Sequence, residues 1–80
     1  MIRLHSSKLS VWIHSGDHNP PHVHVIYGSA ADPMAEILID LRTWKPLEGF
    51  GFSRSDVKTI IGGLKVYEAE LKAAWEERNG

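Results

Sequence analysis

His22-Val23-His24-Val25-Ile26-Tyr27 sorts into two sides of an extended chain. Val23, Val25 and Tyr27 fall on one side, and His22, His24 and Ile26 on the other. Alternation of this kind marks a β-strand that buries one face, so the segment from about residue 22 to 28 is read as a strand. Upstream, Leu9, Val11 and Ile13 alternate with Ser10, Trp12 and His14, giving a strand over about 9–14. Between the two lies a loop punctuated by Gly16, Asp17, Asn19, Pro20 and Pro21; neither proline can sit in a central strand. Downstream, the turn residues of 28–33 lead into a third alternation, Ala35, Ile37, Ile39 and Leu41 against Glu36, Leu38 and Asp40, over about 35–41. A short apolar/basic run at about 2–5 is a fourth candidate strand.

Residues 42–52 have no clear period. They are rich in glycine and aromatics and contain Pro46. Gly49-Phe50-Gly51-Phe52 is too short for a phosphate loop and is read as a flexible aromatic loop. A helix then starts near Ser53 or Ser55, where Ser53-Arg54-Ser55-Asp56 resembles a capping box with Asp in place of Glu. Val57, Ile60, Ile61, Leu64, Tyr67, Leu71, Ala74 and Trp75 recur at spacings of three and four, the stripe of an amphipathic helix over about 54–78. At the usual rise it is ~36 Å long. Gly62-Gly63 interrupts it at a cost of roughly 2 kcal/mol relative to alanine, and marks either close packing on the sheet or a kink.

The expected architecture is α+β: one domain over 1–80, an antiparallel sheet of three to four strands, and one long C-terminal helix packed on one face. Leu9, Val11, Ile13, Val23, Val25, Ile37 and Ile39 should face the helix. Trp12, His14, His22, His24, Glu36 and Asp40 should line the opposite face.

Eighty residues with 42% hydrophobic and 24% charged side chains have ordinary globular composition. A chain of this length buries little more than half of its unfolded surface, so dimerisation would help it. The net charge of −1 offers no basic excess to grip phosphates and argues against nucleic-acid binding. The absence of cysteine removes disulfides, thiolate nucleophiles and cysteine-based zinc sites. No apolar run reaches the ~20 residues of a membrane span, and the N-terminus has no signal-peptide pattern, which makes the cytoplasm the expected location.

Histidine is the outlier. Four of the five (His14, His18, His22 and His24) fall within eleven residues, and an imidazole in water titrates near ~6.5. His22 and His24 project to one side of their strand, about 6–7 Å apart at Cα. A hairpin with the preceding strand would bring His14 near His22. Asp17 and His18 lie in the loop that Pro20 and Pro21 stiffen. Two or three imidazoles with a carboxylate suit a divalent transition metal such as Zn, Ni or Fe(II). The candidate ligands are His18, His22 and His24, with Asp17 or His14 completing the set. The competing reading is structural: Asp17 and Asn19 cap the turn, and a histidine bonds backbone carbonyls to hold the prolines in place. Trp75 belongs to the core by its helical spacing. Trp12, on the histidine side, is the aromatic expected to touch a partner.

The run Asp17-His18-Asn19-Pro20-Pro21-His22-Val23-His24-Val25 closely resembles the signature of a small bacterial family, domain-of-unknown-function family 4160. The likeness extends over nearly the whole chain, from the strand before the motif to the C-terminal helix with Leu71 and Trp75; residues 42–52 are less typical. It implies a small, stand-alone, prokaryotic and cytosolic protein, often encoded beside another small domain in a toxin–antitoxin-like arrangement. It names no reaction.

Two functions from different classes follow. The first is an interaction or regulatory module, a toxin–antitoxin-like component that binds a protein partner or a second copy of itself through a surface formed by Trp12, His14, Asp17, Pro20, Pro21 and the histidines. The alternative is a metal-dependent hydrolase or nuclease in which the cluster activates water. Catalytic residues are not assigned by sequence.

Overall fold

The computed structural model describes residues 2–3, 9–14, 20–29 and 31–79. The expected strand at 2–5 lies within them only as Ile2–Arg3, and Asp17, His18 and Asn19 fall outside them.

The described elements are five strands, β1 (Ile2–Arg3), β2 (Leu9–Trp12), β3 (His22–Gly28), β4 (Pro33–Asp40) and β5 (Pro46–Phe50), followed by two helices, α1 (Arg54–Lys65) and α2 (Glu68–Asn79). The strands form one antiparallel meander in the order β1-β2-β3-β4-β5. Each strand pairs with its sequence neighbour, the short-connection solution that dominates antiparallel sheets. Central registers are Val11 with Val25, Val25 with Ile37, and Val23 with Ile39.

The core lies between one sheet face and the helices. Leu9, Val11, Val23, Val25, Ile37 and Ile39 meet Ile60 and Leu64 of α1 and Leu71 and Trp75 of α2. Ile13 and Tyr27 pack at its margin. Each fully buried aliphatic side chain contributes about 1.5–3 kcal/mol of transfer free energy, so the strands' alternation and the helical stripe bind the two layers together. Ser53 caps α1 with the reciprocal box expected of it: the Asp56 N–H donates to Ser53 Oγ at 3.1 Å, and the Ser53 N–H to Asp56 Oδ2 at 3.2 Å.

Three expectations are corrected. The C-terminal region is two helices, not one. The break falls at Val66 and Tyr67, not at Gly62-Gly63, through which α1 runs unbroken. At the break the Tyr67 N–H bonds the Leu64 carbonyl, a tightened turn, and α2 restarts with the Leu71 N–H on the Tyr67 carbonyl. A single helix of ~36 Å would overhang a molecule whose longest extent is 30 Å. Two helices of twelve residues, about 18 Å each, stay over the sheet. Gly62 does not mark close packing, since a Cβ there would meet open space.

Residues 42–52 are not an irregular flexible loop. They contain the edge strand β5, which pairs Glu36 with Phe50, Ile37 with Gly49 and Leu38 with Glu48. Pro46 stands first in that strand, a place where its missing N–H costs no ladder bond. Gly49 is required by close approach: a Cβ there would lie 2.5 Å from the Glu36 carbonyl oxygen and 2.8 Å from the Ile37 Cα. The remaining strand bounds shift slightly. β2 ends at Trp12, short of His14, and β4 starts at Pro33 and stops at Asp40, leaving Leu41 to the turn.

The two glycine environments predict opposite outcomes for the same substitution. Gly49→Ala should lose about 1–3 kcal/mol, because backbone must move to admit the methyl group. Gly62→Ala should gain up to about 1 kcal/mol by helix propensity. Urea unfolding of both variants checks this. Equal midpoints for the two would show that β5 does not press on β4 as described.

Candidate functional site

The face of the sheet opposite the helices is laid out by register, since directly opposed residues share a face. One cross-strand row runs Trp12, His24, Leu38, Glu48; the next runs Ser10, Ile26, Glu36, Phe50. No described helix packs on this face. Trp12 is 38% exposed and Phe50 55%, whereas Ile26 between them is buried and Leu38 half-buried. Trp12 Nε1 donates to Ser10 Oγ at 2.9 Å, which fixes the indole along its own strand.

Three imidazoles converge at one end of the sheet. The His14 ring centroid lies 4.2 Å from that of His24, edge to face, and the His24 ring 5.1 Å from that of His22. His22 also stands 5.3 Å from the indole of Trp75 in α2. The row therefore begins on the open face and ends against the core. His14 follows β2 and sets its ring against His24. Its carbonyl accepts from Asn79 Nδ2 at 3.0 Å, tying the chain beyond β2 to the end of α2.

Each described strand histidine is oriented by a different partner. His24 Nδ1 is 3.3 Å from Glu36 Oε2, a cross-strand diagonal. His22 Nδ1 is 2.8 Å from the Pro20 carbonyl. A carbonyl only accepts, so Nδ1 of His22 carries the proton. The structural role weighed for a histidine, holding the proline pair through a backbone carbonyl, is thus filled by His22. His22 is also only 8% exposed, which corrects its expected place among open-face residues: the first residue of β3 sits where α2 closes over the sheet end.

Asp40 departs further from expectation. It lies opposite His22 and is buried. Its Oδ1 accepts the N–H groups of Arg42 at 2.7 Å and Thr43 at 3.2 Å, and Arg42 Nη2 stands 3.6 Å from Oδ2. Burial pushes the Asp40 carboxyl up, but the two N–H donors and the guanidinium outweigh it and hold the group below its ordinary 3.8. The Asx turn so formed, closed by Trp44 N–H on the Asp40 carbonyl at 2.9 Å, places Trp44 at φ +60 and aims the Leu41 N–H at the Pro21 carbonyl, 2.8 Å away. Pro20 and Pro21 are therefore held from both sides, by His22 and by the β4–β5 turn.

Of the residues expected at the site, the structure brings Trp12, His14 and His22 next to His24, which alone of them engages Glu36, and ties Pro20 to His22. The proposed metal ligand His18, and Asp17, lie outside the described residues. Among the described residues no group of three or more His, Asp or Glu side chains is arranged to hold a metal ion. Sequence reading missed Glu48 and Phe50. With His24, Glu36, Leu38 and Gly49 they line an open hollow of about 370 Å³ beside the His24–Glu36 pair. The signal was the room for a returning strand between the turn at Asp40 and the helix cap at Ser53.

A family model described as Domain of unknown function (DUF4160) matches residues 8–76 of the chain. No curated protein and no solved structure matches it.

Two measurements check this geometry. Long-range nitrogen–proton correlation spectra of the neutral form should show the His22 ring protonated at Nδ1; protonation at Nε2 would break the link to Pro20. The folded Asp40 carboxyl releases its proton more readily than the free group. The stability it contributes is therefore complete above 3.8 and is lost as pH falls through the lower folded value. Asp40→Asn should accordingly be less stable than the parent at neutral pH, and the gap should close on acidification below that range. A gap independent of pH would rule out the charge as its source.

Proposed function

Because the chain belongs to the family described as Domain of unknown function (DUF4160), a description that assigns no reaction, we propose from the geometry of the open sheet face that it is a protein-interaction or regulatory module docking through this face, and from the family resemblance that it is a component of a toxin–antitoxin-like pair. The observation that carries the reading is the placement of two exposed aromatics, Trp12 and Phe50, on either side of the His24–Glu36 pair. Aromatic anchors bracketing a polar pair resemble the make-up of interface centres, where tryptophan, tyrosine and arginine dominate the energetics.

The edge of the sheet at β5 supports the face rather than strand addition as the mode of docking. Pro46 and the register shift opposite Leu38 and Ile39 interrupt that edge, and both are devices that discourage pairing with another chain. The histidine row adds sensitivity to orientation: His14, His24 and His22 stand in successive contact, so a partner pressing on the exposed His14 pushes on a ring system that ends at Trp75.

Co-expression with the product of the neighbouring gene supplies the test. A complex should form, and Trp12→Ala should weaken it by about 2 kcal/mol, roughly 30-fold, the range of an interface anchor. Val66, 79% exposed at the junction of the two helices, serves as the control, and Val66→Ser should leave affinity unchanged. Retention of the partner by Trp12→Ala and by a Phe50→Ser variant at parent affinity would exclude this face.

A further inference from the structure

We infer that the hollow between β3, β4 and β5 receives a single arginine side chain from the docking partner. The inference rests on the interaction-module reading and names the chemistry of its contact. The hollow has three kinds of wall. Glu36 and Glu48 supply carboxylates from neighbouring strands, Phe50 supplies an exposed ring, and Leu38 with the bare backbone of Gly49 forms the floor. Glu48 is opposite Leu38 and Glu36 is opposite Phe50, which makes the two glutamates diagonal neighbours. Diagonal side chains in an antiparallel pair leave their Cα positions roughly 7–8 Å apart, room for a planar group between two carboxylates.

Charge is not balanced within the hollow. Among the described residues no lysine or arginine lines it. The ion pairs of Arg42 with Asp40 and of Lys72 with Glu68 lie elsewhere. Glu36 engages His24 through Oε2, and a carboxylate offers about four lone-pair sites, so Glu36 keeps capacity for a second donor. An incoming cation would find two acceptors and an aromatic face. Guanidinium fits this set better than ammonium, because it is planar, forks to two acceptors and stacks on a ring while remaining weakly hydrated. Its aliphatic stem would cover Leu38.

Arginine amide, lysine amide and citrulline amide titrated into the whole chain test the assignment by NMR. Arginine amide should give saturating shifts confined to His24, Glu36 and residues 48–50. Lysine amide should bind roughly three- to fivefold more weakly, and citrulline amide, which keeps the α-ammonium but has an uncharged side chain, should not saturate. Glu48→Gln, an exposed change that leaves the core intact, should weaken arginine amide by roughly three- to fivefold. Phe50→Leu, which keeps apolar bulk and removes the ring face, should weaken it by a similar factor. Shifts that do not saturate, or that are equal for arginine and citrulline amides, overturn the assignment. If the co-expressed partner stays bound to Glu48→Gln at parent affinity while Trp12→Ala releases it, the module stands and the arginine contact is wrong. If neither Trp12→Ala nor Phe50→Ser releases it, the module fails and this inference fails with it.

Discussion

The carboxylate of Asp40 sets the geometry on which the rest of the site depends. By accepting the N–H groups of Arg42 and Thr43 it curls the chain into the turn that follows β4. That turn sends β5 back along β4 and points the Leu41 N–H at Pro21. Pro21, so held, presents the Pro20 carbonyl to His22, and His22 is oriented between His24 and Trp75. A buried carboxylate is costly unless it is fully engaged. Here the engagement is with the Arg42 and Thr43 N–H groups and the Arg42 guanidinium, so one group closes the turn while its own charge is stabilised. The left-handed Trp44 is part of the same arrangement: a bulky residue at positive φ is an outlier, held where its N–H closes on the Asp40 carbonyl and its side chain packs against the core.

The core accounts for the difference between the two sheet faces. Apolar residues alternate into the helix side of β2, β3 and β4, where Leu9, Val11, Val23, Val25, Ile37 and Ile39 share one core with Ile60, Leu64, Leu71 and Trp75. The other side receives what alternation leaves over: indole, imidazoles, carboxylates and one phenyl ring. Two helices of equal length cover one face and have nothing left for the second, so chemistry is confined to that face and to its end, where α2 reaches around. His22 marks the boundary. It belongs by register to the open face and by burial to the core, and it links the two through ring contacts on both sides.

Local pattern carried a good part of this into the sequence. The alternations of β2, β3 and β4, the helical stripe ending in Leu71 and Trp75, and the Ser53–Asp56 cap are all nearest-neighbour or few-residue effects, and each is found where the pattern puts it. The side of the sheet on which Trp12 and His24 stand follows from the same period of two. The expected antiparallel pairing of neighbours also follows, because short connections allow little else.

What sequence could not decide depends on distances between segments remote in the chain. Pro46, Gly49 and Gly51 read as breakers, yet β5 forms because β4 supplies a partner and because only glycine fits against Glu36 and Ile37. The helix breaks at Val66 rather than at its glycines, a position that propensity alone does not select. Asp40 and His22 alternate with apolar residues like any exposed polar pair, and only the arrival of the turn and of α2 buries them. Glu48 and Phe50 join the site for the same reason. The residue types available on each face were thus set by the amino-acid order, through backbone periodicity. Which of them meet was set by the folded chain, through register and the finite size of the layers.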